Sequence, residues 1–173
     1  MEKQNQTFEM KAKITEVLGE ALLVLLNSNA HRLNFFISDI EWLLLAPITK
    51  EQFRLYKDAE GKPVGLILWA FVNEEVNKRL ELGIGKLAFN EWKSGDTLWI
   101  IDLIAPLGGA DKMLEELKNT VFKGKQFKYQ SVDKDGNRIM IGWMRMPKKF
   151  DGEEWIGMMS LPRVINVIDN DVY

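Results

Sequence analysis

The sequence predicts a single domain of the α/β (α+β) class with a central mixed sheet flanked by helices, and three patterns support this prediction. Apolar residues recur at helical spacing over residues 14–25, which indicates an amphipathic first helix. Alternating runs on either side of a Gly-containing turn at 58–62 are typical of a β-hairpin. Thr97–Ala105 is a nearly continuous apolar run, as expected for a central strand buried on both faces.

The remaining elements follow from capping and breaking residues. The elements predicted in chain order are a helix from about 11 to 26, a polar loop at 27–29, a helix from 38 or 39 to 45, strands at 52–57 and 63–71, a helix at 73–82, a strand at 97–105, a helix at 110–122, and strands at 126–132 and 138–145. Pro47 is expected to stop the second helix. Asn73 is a candidate N-cap and Gly83 a candidate C-terminal stop for the helix between them.

The predicted domain organisation is simple. Residues 1–10 are polar and are expected to form a flexible arm, and residues 11–173 are expected to form one domain. Residues 150–173 are treated as a C-terminal extension because their sequence matches no clear element pattern. No internal repeat, low-complexity segment or linker divides the chain.

Composition excludes several classes of function. The chain has no Cys, so disulfides and thiolate chemistry are impossible. One histidine and the lack of an H-E-x-x-H motif leave little basis for a metal site, so we expect none. A net charge of −2 gives no basic field for nucleic acid. The apolar stretches are too short to span a bilayer, and the N-terminus lacks the features of a secretory signal. We therefore expect a cytoplasmic protein.

Two residues stand out as candidates for acid–base chemistry. Asp102 lies inside the most strand-like stretch, where an unpaired charge is costly. His31 is the single histidine, so proton transfer by an imidazole at neutral pH would have to use it. Each residue alone also fits a structural role, Asp102 as a carboxylate paired with backbone groups and His31 as a surface or capping residue. Together they are the minimum for a base held in its tautomer by a carboxylate.

Two further features are weaker candidates. Gly108-Gly109 lies between a predicted strand and a predicted helix, where backbone N–H groups can approach an oxyanion, although such pairs also form ordinary turns. Five lysines lie in and after the helix predicted at 110–122, and they form either a solvated face or a docking patch for an acidic partner. These lysines are Lys112, Lys118, Lys123, Lys125 and Lys128.

Two stretches carry a resemblance to a known family. The first is Ser28-Asn29-Ala30-His31-Arg32, and the second is Trp92-Lys93-Ser94-Gly95-Asp96 followed by Trp99–Gly108. They resemble the Ser-x-x-His-Arg motif and the W-x-S-G-D-x-x-W-x-x-D-x-I-A-P-x-G block of the RTX toxin-activating lysine acyltransferases. The resemblance extends over about residues 14–132.

The resemblance implies a fold and a reaction. The implied fold is Gcn5-related N-acetyltransferase-like, in a single domain that often forms a homodimer. The implied reaction moves a fatty acyl group from acyl carrier protein, as co-substrate, to internal lysines of an RTX protoxin, without a bound cofactor. His31 and Asp102 match the catalytic residues, Ser28 matches the serine near the histidine, and Gly108 lies where backbone could bind the thioester oxygen. The lysine patch is then a candidate dock for the acidic carrier protein.

Two other functions remain compatible with the residues. One is an acyl-CoA-dependent N-acyltransferase acting on a small amine, although the usual Q/R-x-x-G-x-G/A pyrophosphate loop is absent. The other is a non-catalytic partner or chaperone of a secreted protein, in which His31 and Asp102 would be structural.

Overall fold

The computed structural model describes the backbone of residues 2–132 and 138–143 and the side chains of residues 10–130. The helices are α1 at Glu2–Asn27, α2 at Asn29–Asn34, α3 at Ala46–Thr49, α4 at Glu74–Glu81 and α5 at Ala110–Asn119, with a π-helical segment at Ile40–Leu45. The strands are β1 at Phe53–Lys57, β2 at Pro63–Val72, β3 at Thr97–Ile104, β4 at Phe127–Val132 and β5 at Arg138–Trp143.

The five strands form one mixed sheet in the order β1-β2-β3-β4-β5. Every neighbouring pair is antiparallel except β3 and β4, which run parallel. Parallel neighbours need a crossover connection, and α5 lies within the one that joins β3 to β4. The prediction of a mixed sheet flanked by helices in an α/β fold is confirmed.

Two hydrophobic clusters cover the two faces of the sheet. On one face, α1, α3, α4 and the π-helical segment pack on alternate residues of β2 and β3; its most buried members include Val24, Leu44, Leu66, Leu68, Leu80, Trp92 and Trp99. On the other face, α5 packs with aromatic residues; its members include Ile67, Trp69, Ile100, Leu117, Phe122, Phe127 and Tyr129. Most of the aromatic residues that the structure describes therefore lie in or against the core. Within the part of the chain that the structure describes, no helix is both long and apolar enough to cross a bilayer.

Several elements confirm the predicted boundaries to within a few residues. The hairpin of β1 and β2 closes over residues 58–62. Asn73 caps α4, because its side-chain oxygen accepts a hydrogen bond from the backbone N–H of Val76 at 3.0 Å. Gly83 follows with a positive φ of 82°, which terminates the helix. The turn predicted at 133–137 and the extension at 150–173 lie outside the described residues.

The N-terminal helices differ from the prediction. The backbone is helical from Glu2 rather than from about Lys11, since residues 2–10 contain no Gly or Pro to prevent it. The helix predicted to end before Pro47 instead passes from a π-helical segment into α3, where Pro47 occupies the first turn. A proline is tolerated there because its missing N–H has no intrahelical acceptor.

Residues 91–95, which we call the brace, extend the sheet edge beyond β1. Trp92 is completely buried. Its backbone carbonyl accepts hydrogen bonds from the Phe71 N–H at 3.0 Å and from the Gln52 side-chain amide at 2.9 Å. The brace therefore provides hydrogen-bond partners for the backbone of β2 beyond the end of β1. Fewer buried backbone groups are left unpaired as a result.

The end of the brace fits closely against the start of α4. The N–H groups of Ser94 and Gly95 both donate to the Phe71 carbonyl, at 2.8 and 3.2 Å. The Ser94 hydroxyl accepts from the Asn73 N–H at 3.1 Å. A Cβ at Gly95 would lie 2.6 Å from the Asn73 backbone and from the Val72 carbonyl oxygen. Glycine is thus required at position 95 by backbone packing.

We expect Gly95→Ala to lower the free energy of unfolding by about 2 kcal/mol or more, because the atoms it would meet are backbone atoms that cannot rotate away. Thermal denaturation should show a fall in Tm of roughly 4–8 °C for a domain of this size. Gly85→Ala is the matched control, since no heavy atom lies within 4 Å of its Cβ position. Equal Tm values for the two variants would contradict the packing argument.

Candidate active site

His31, Asp102 and Ser28 form one hydrogen-bonded array. The Nε2 atom of His31 lies 2.9 Å from Oδ2 of Asp102, and its Nδ1 atom lies 2.8 Å from the Ser28 hydroxyl. The side chains of His31 and Asp102 are 15% and 22% exposed, whereas Ser28 is 1% exposed. The imidazole is therefore held at both nitrogens and remains partly exposed.

The start of α2 determines where the histidine side chain points. Ser28 has an extended backbone and occupies the N-cap position before α2. Its carbonyl accepts from the N–H of Arg32 at 2.9 Å, which places His31 in the first turn of the helix. Residues three apart on a helix turn face each other, so the Ser28 hydroxyl reaches the ring of His31. His31 was expected in or just after a loop, and it lies within α2.

A bulge in β3 brings Asp102 to the face of the sheet where His31 lies. Leu68 pairs with Asp102 and Trp69 pairs with Ile100, so Ile101 has no partner in β2. Strict alternation from Ile100, which faces α5, would send Asp102 to the same side. The extra residue shifts the register, and Asp102 instead points with Leu68 toward the α1 side.

The contacts define the protonation pattern of the neutral ring. An ionised carboxylate can only accept a hydrogen bond, so Nε2 of His31 is the protonated nitrogen that donates to Asp102. Nδ1 then carries the lone pair and accepts from the Ser28 hydroxyl. A carboxylate in this position fixes the tautomer and stabilises the imidazolium that forms when Nδ1 takes a proton. The array can therefore serve as a base or as a nitrogen nucleophile.

The pairing of β3 with β4 ends next to Asp102, and the β3 residues that follow the last pair are less buried. The two strands pair only at Trp99 with Lys128 and at Ile100 with Tyr129. Residues 98–100 of β3 are buried, whereas residues 101–103 are half-buried. The prediction of a strand buried on both faces is thus wrong at residues 101–103, whereas Ile104 and Ala105 are buried as predicted. We call this feature the β3–β4 opening.

The glycine pair lies at the start of α5. Gly108 and Gly109 have φ values of 81° and 85° and are exposed. The N–H of Gly108 donates to the Ala105 carbonyl at 2.9 Å, which closes the turn after β3. This amide is therefore engaged within the turn, and an oxyanion role for Gly108 and Gly109 stays a prediction.

The five lysines of the proposed docking patch have different environments. Lys112, Lys123 and Lys125 are exposed, and the ammonium of Lys125 lies 5.0 Å from the centre of the Phe71 ring. Lys118 is half-buried, and burial lowers the pKa of its ammonium. Lys128 donates to Asn77 at 3.0 Å and to Glu81 at 2.7 Å. The structure thus joins Lys128 to α4 rather than leaving it directed into solvent.

Two features of the surface were missed by sequence reasoning. Leu33, Phe36 and Ile37, just after the histidine, are 63%, 70% and 87% exposed. The signal was an apolar run without helical or strand periodicity between two predicted elements. Separately, a pocket of about 410 Å³ adjoins the π-helical segment. It is lined by Glu41, Trp42, Lys86, Leu87, Ala88 and Phe89.

Comparison with known proteins places this site in a family. The model of the RTX toxin acyltransferase family matches residues 10–141, which is most of the chain. The chain belongs to this family. It is therefore an acyltransferase, and the match includes the Ser28–His31 array, Asp102 and the brace.

Individual relatives are about 31% identical to this acyltransferase over the aligned residues. The lysine-acyltransferase RtxC of Vibrio cholerae is 31% identical over 113 residues, which cover 64% of this chain and 72% of that protein. The RTX-I toxin-activating lysine-acyltransferase ApxIC of Actinobacillus pleuropneumoniae is 31% identical over 120 residues, 69% of this chain and 68% of that protein. An uncharacterized protein of Synechocystis sp. is 31% identical over 135 residues, 78% of this chain and 91% of that protein.

The tautomer of His31 can be measured directly, because the chain contains a single histidine. We expect the imidazole ¹⁵N spectrum of the neutral ring to show a protonated Nε2 and an unprotonated Nδ1. In Asp102→Asn the amide can donate as well as accept, so the tautomer preference should weaken or reverse. A wild-type spectrum with a protonated Nδ1 would contradict the arrangement.

Proposed function

We propose that this acyltransferase moves a fatty acyl group from acyl carrier protein to internal lysines of an RTX-type protoxin, with His31 as base or acyl-accepting nucleophile and Asp102 orienting it. The observation that carries the proposal is the array of Ser28, His31 and Asp102, with 2.8 and 2.9 Å contacts at the two ring nitrogens. It lies in a chain whose family transfers acyl groups.

The acceptor amine needs a base before it can react. A lysine amine is protonated at neutral pH, so it must lose a proton before it attacks a thioester. In the base route, Nδ1 of His31 takes that proton, either directly once the Ser28 hydroxyl turns aside or through that hydroxyl. The amine then attacks the thioester carbon, the thiolate leaves, and the second amine proton passes to the thiolate, so that an amide and a thiol are formed. Asp102 stabilises the imidazolium through Nε2–H.

The nucleophile route uses the same atoms in a different order. Nδ1 attacks the thioester carbon, the thiolate leaves, and an acyl-imidazole forms on His31. The released thiolate takes a proton from the lysine ammonium, the free amine attacks the acyl carbon and releases the ring, and Nδ1 takes the second amine proton as the amide forms. Nε2–H stays bonded to Asp102 throughout, so the carboxylate supports both routes equally.

The surroundings of the array suit a long acyl thioester. The β3–β4 opening begins at the residue before Asp102, and we propose it as the route by which an extended donor arm reaches the ring. The exposed apolar side chains of Leu33, Phe36 and Ile37 follow His31 in the chain and offer surface to an acyl chain. Removal of that surface from water favours a fatty donor over a short one.

The acceptor and the location are proposed from the relatives. RtxC is named a lysine-acyltransferase and ApxIC is named as activating an RTX toxin. By that likeness we propose a lysine of an RTX-type protoxin as acceptor, in the cytoplasm, where acyl carrier protein would supply the acyl group. The homodimer implied by the resemblance is part of the same proposal.

We expect His31→Ala to lower the transfer rate by about 10³-fold or more and Asp102→Asn by about 10²–10⁴-fold. Ser28→Ala should cost roughly tenfold, since the hydroxyl supports the ring without being the base. The measurement is transfer of labelled acyl groups from acyl carrier protein to a candidate RTX protoxin. Glu60→Gln, an exposed residue of the β1–β2 turn, is the carboxyl-to-amide control and should match wild type.

Transfer by His31→Ala at the wild-type rate would contradict the catalytic role. Transfer from acyl-CoA to a small amine, with none from acyl carrier protein, would favour the second enzyme function. With acceptor omitted, a hydroxylamine-sensitive label on wild type that is lost in His31→Ala would indicate the nucleophile route. Full transfer without such a label would indicate the base route.

A further inference from the structure

Lys128 belongs to a cluster that joins three elements of the fold. Asn77 of α4 is 5% exposed, and its side-chain oxygen accepts from the indole N–H of Trp99 at 3.0 Å and from the Lys128 ammonium at 3.0 Å. The Glu81 carboxylate accepts from Lys128 at 2.7 Å and from the Asn77 amide at 3.3 Å. Lys128 therefore links β4 to α4 and, through Asn77, to β3. We call Asn77, Glu81 and Lys128 the clamp.

The clamp lies beside the short parallel ladder that joins β3 to β4. Trp99, which Asn77 holds, is the β3 partner of Lys128 in the short parallel ladder. One pair later the ladder ends, and the β3–β4 opening begins beside Ile101 and Asp102. Few backbone hydrogen bonds thus fix β4 to β3, so side-chain contacts determine how far apart the strands lie.

The two faces of β4 make different kinds of contact, apolar on the α5 side and polar on the α4 side. On the α5 side, Phe127 and Tyr129 pack in the aromatic cluster, with Phe127 5.4 Å from Phe122 between ring centres. On the α4 side, Lys128 supplies the polar link, assisted by a hydrogen bond from the Gln130 amide to the Leu80 carbonyl. The hydrogen bond from Lys128 also lowers the pKa of Glu81, so the carboxylate is charged at neutral pH. A charge-assisted network of this kind resists displacement more than a single exposed ion pair does.

We propose that Lys128, Asn77 and Glu81 are positioning residues that hold β4 against β3 and thereby set the width of the opening through which the acyl donor reaches His31. This inference rests on the proposed function, because it concerns how the donor is placed. Lys128 then acts through β4 and does not touch the carrier protein. The role differs from that of a docking cation, which the sequence first suggested.

The two roles of Lys128 predict opposite effects of a change at Glu81. If Lys128 docks an acidic carrier protein, Glu81→Gln removes a competing negative charge and should lower the KM for the donor. If Lys128 is part of the clamp, Glu81→Gln weakens its anchor and should raise that KM. A misplaced thioester loses effective concentration at the reacting atom, which makes the donor KM a sensitive readout.

The experiment measures transfer by the full chain at varied donor and varied acceptor concentrations. We expect Lys128→Met and Glu81→Gln each to raise the KM for acyl-acyl carrier protein by about fivefold to tenfold and to leave the KM for the acceptor within about twofold. The double variant should be no worse than Lys128→Met alone, because both changes break one network. Lys62→Met and Glu60→Gln are the matched controls, since both residues are exposed in the β1–β2 turn and neither belongs to the clamp.

Three results would overturn the proposal: a lower donor KM in Glu81→Gln, additive effects in the double variant, or an unchanged donor KM in Lys128→Met. If Lys128→Met fails to fold, as judged by its Tm, the sign of the Glu81→Gln effect decides. The wild-type assay separates this proposal from the proposed function. If wild type transfers no acyl group, the proposed function fails; if it does and the variants behave as controls, only the clamp fails.

Discussion

The register shift at Ile101 is the constraint on which the site depends. One residue without a partner in β2 turns Asp102 from the α5 face to the α1 face, where His31 lies. Without it, the carboxylate and the imidazole would be on opposite sides of the sheet. The same shift coincides with the end of the ladder to β4, so the contact with His31 and the β3–β4 opening arise from one local irregularity. Bulges next to active sites commonly re-aim a side chain in this way.

The longest motif of the sequence combines structural and chemical roles. Its first part is the brace, in which Trp92 is buried and Gly95 is in close contact with the α4 cap. Glu91, the first residue of the brace, is held by the Arg79 guanidinium, which keeps the pKa of that carboxyl below its ordinary range. Its second part is β3, which contributes Asp102. The brace fixes the edge of β2, and β2 in turn sets the register of β3, so the structural part of the motif supports the chemical part.

Aromatic residues have different roles at different positions of this chain, and so do lysines. Composition alone does not distinguish these roles. Trp92, Trp99, Phe122 and Phe127 are almost fully buried, so these rings stabilise the two clusters. The exposed apolar side chains that follow His31 in the chain are those of Leu33, Phe36 and Ile37. Among the lysines, Lys128 is bound within the fold while Lys112 and Lys123 remain exposed. Burial and contacts, not residue type, decide these assignments.

The sequence by itself determined those helices, strands and turns that depend on residues close together in the chain. The hairpin, the Asn73 cap, the apolar strand and the crossover helix all depend on residues within one segment, and the motifs singled out Ser28, His31 and Asp102 as a set. Only the tertiary structure decided which nitrogen meets Asp102, which face Asp102 points to, and where β4 leaves β3. These depend on register between segments far apart in the chain, and a shift of one residue reverses every side chain that follows. The alternation of side chains along one strand does not reveal a bulge, because a bulge shows only in how that strand pairs with its neighbour.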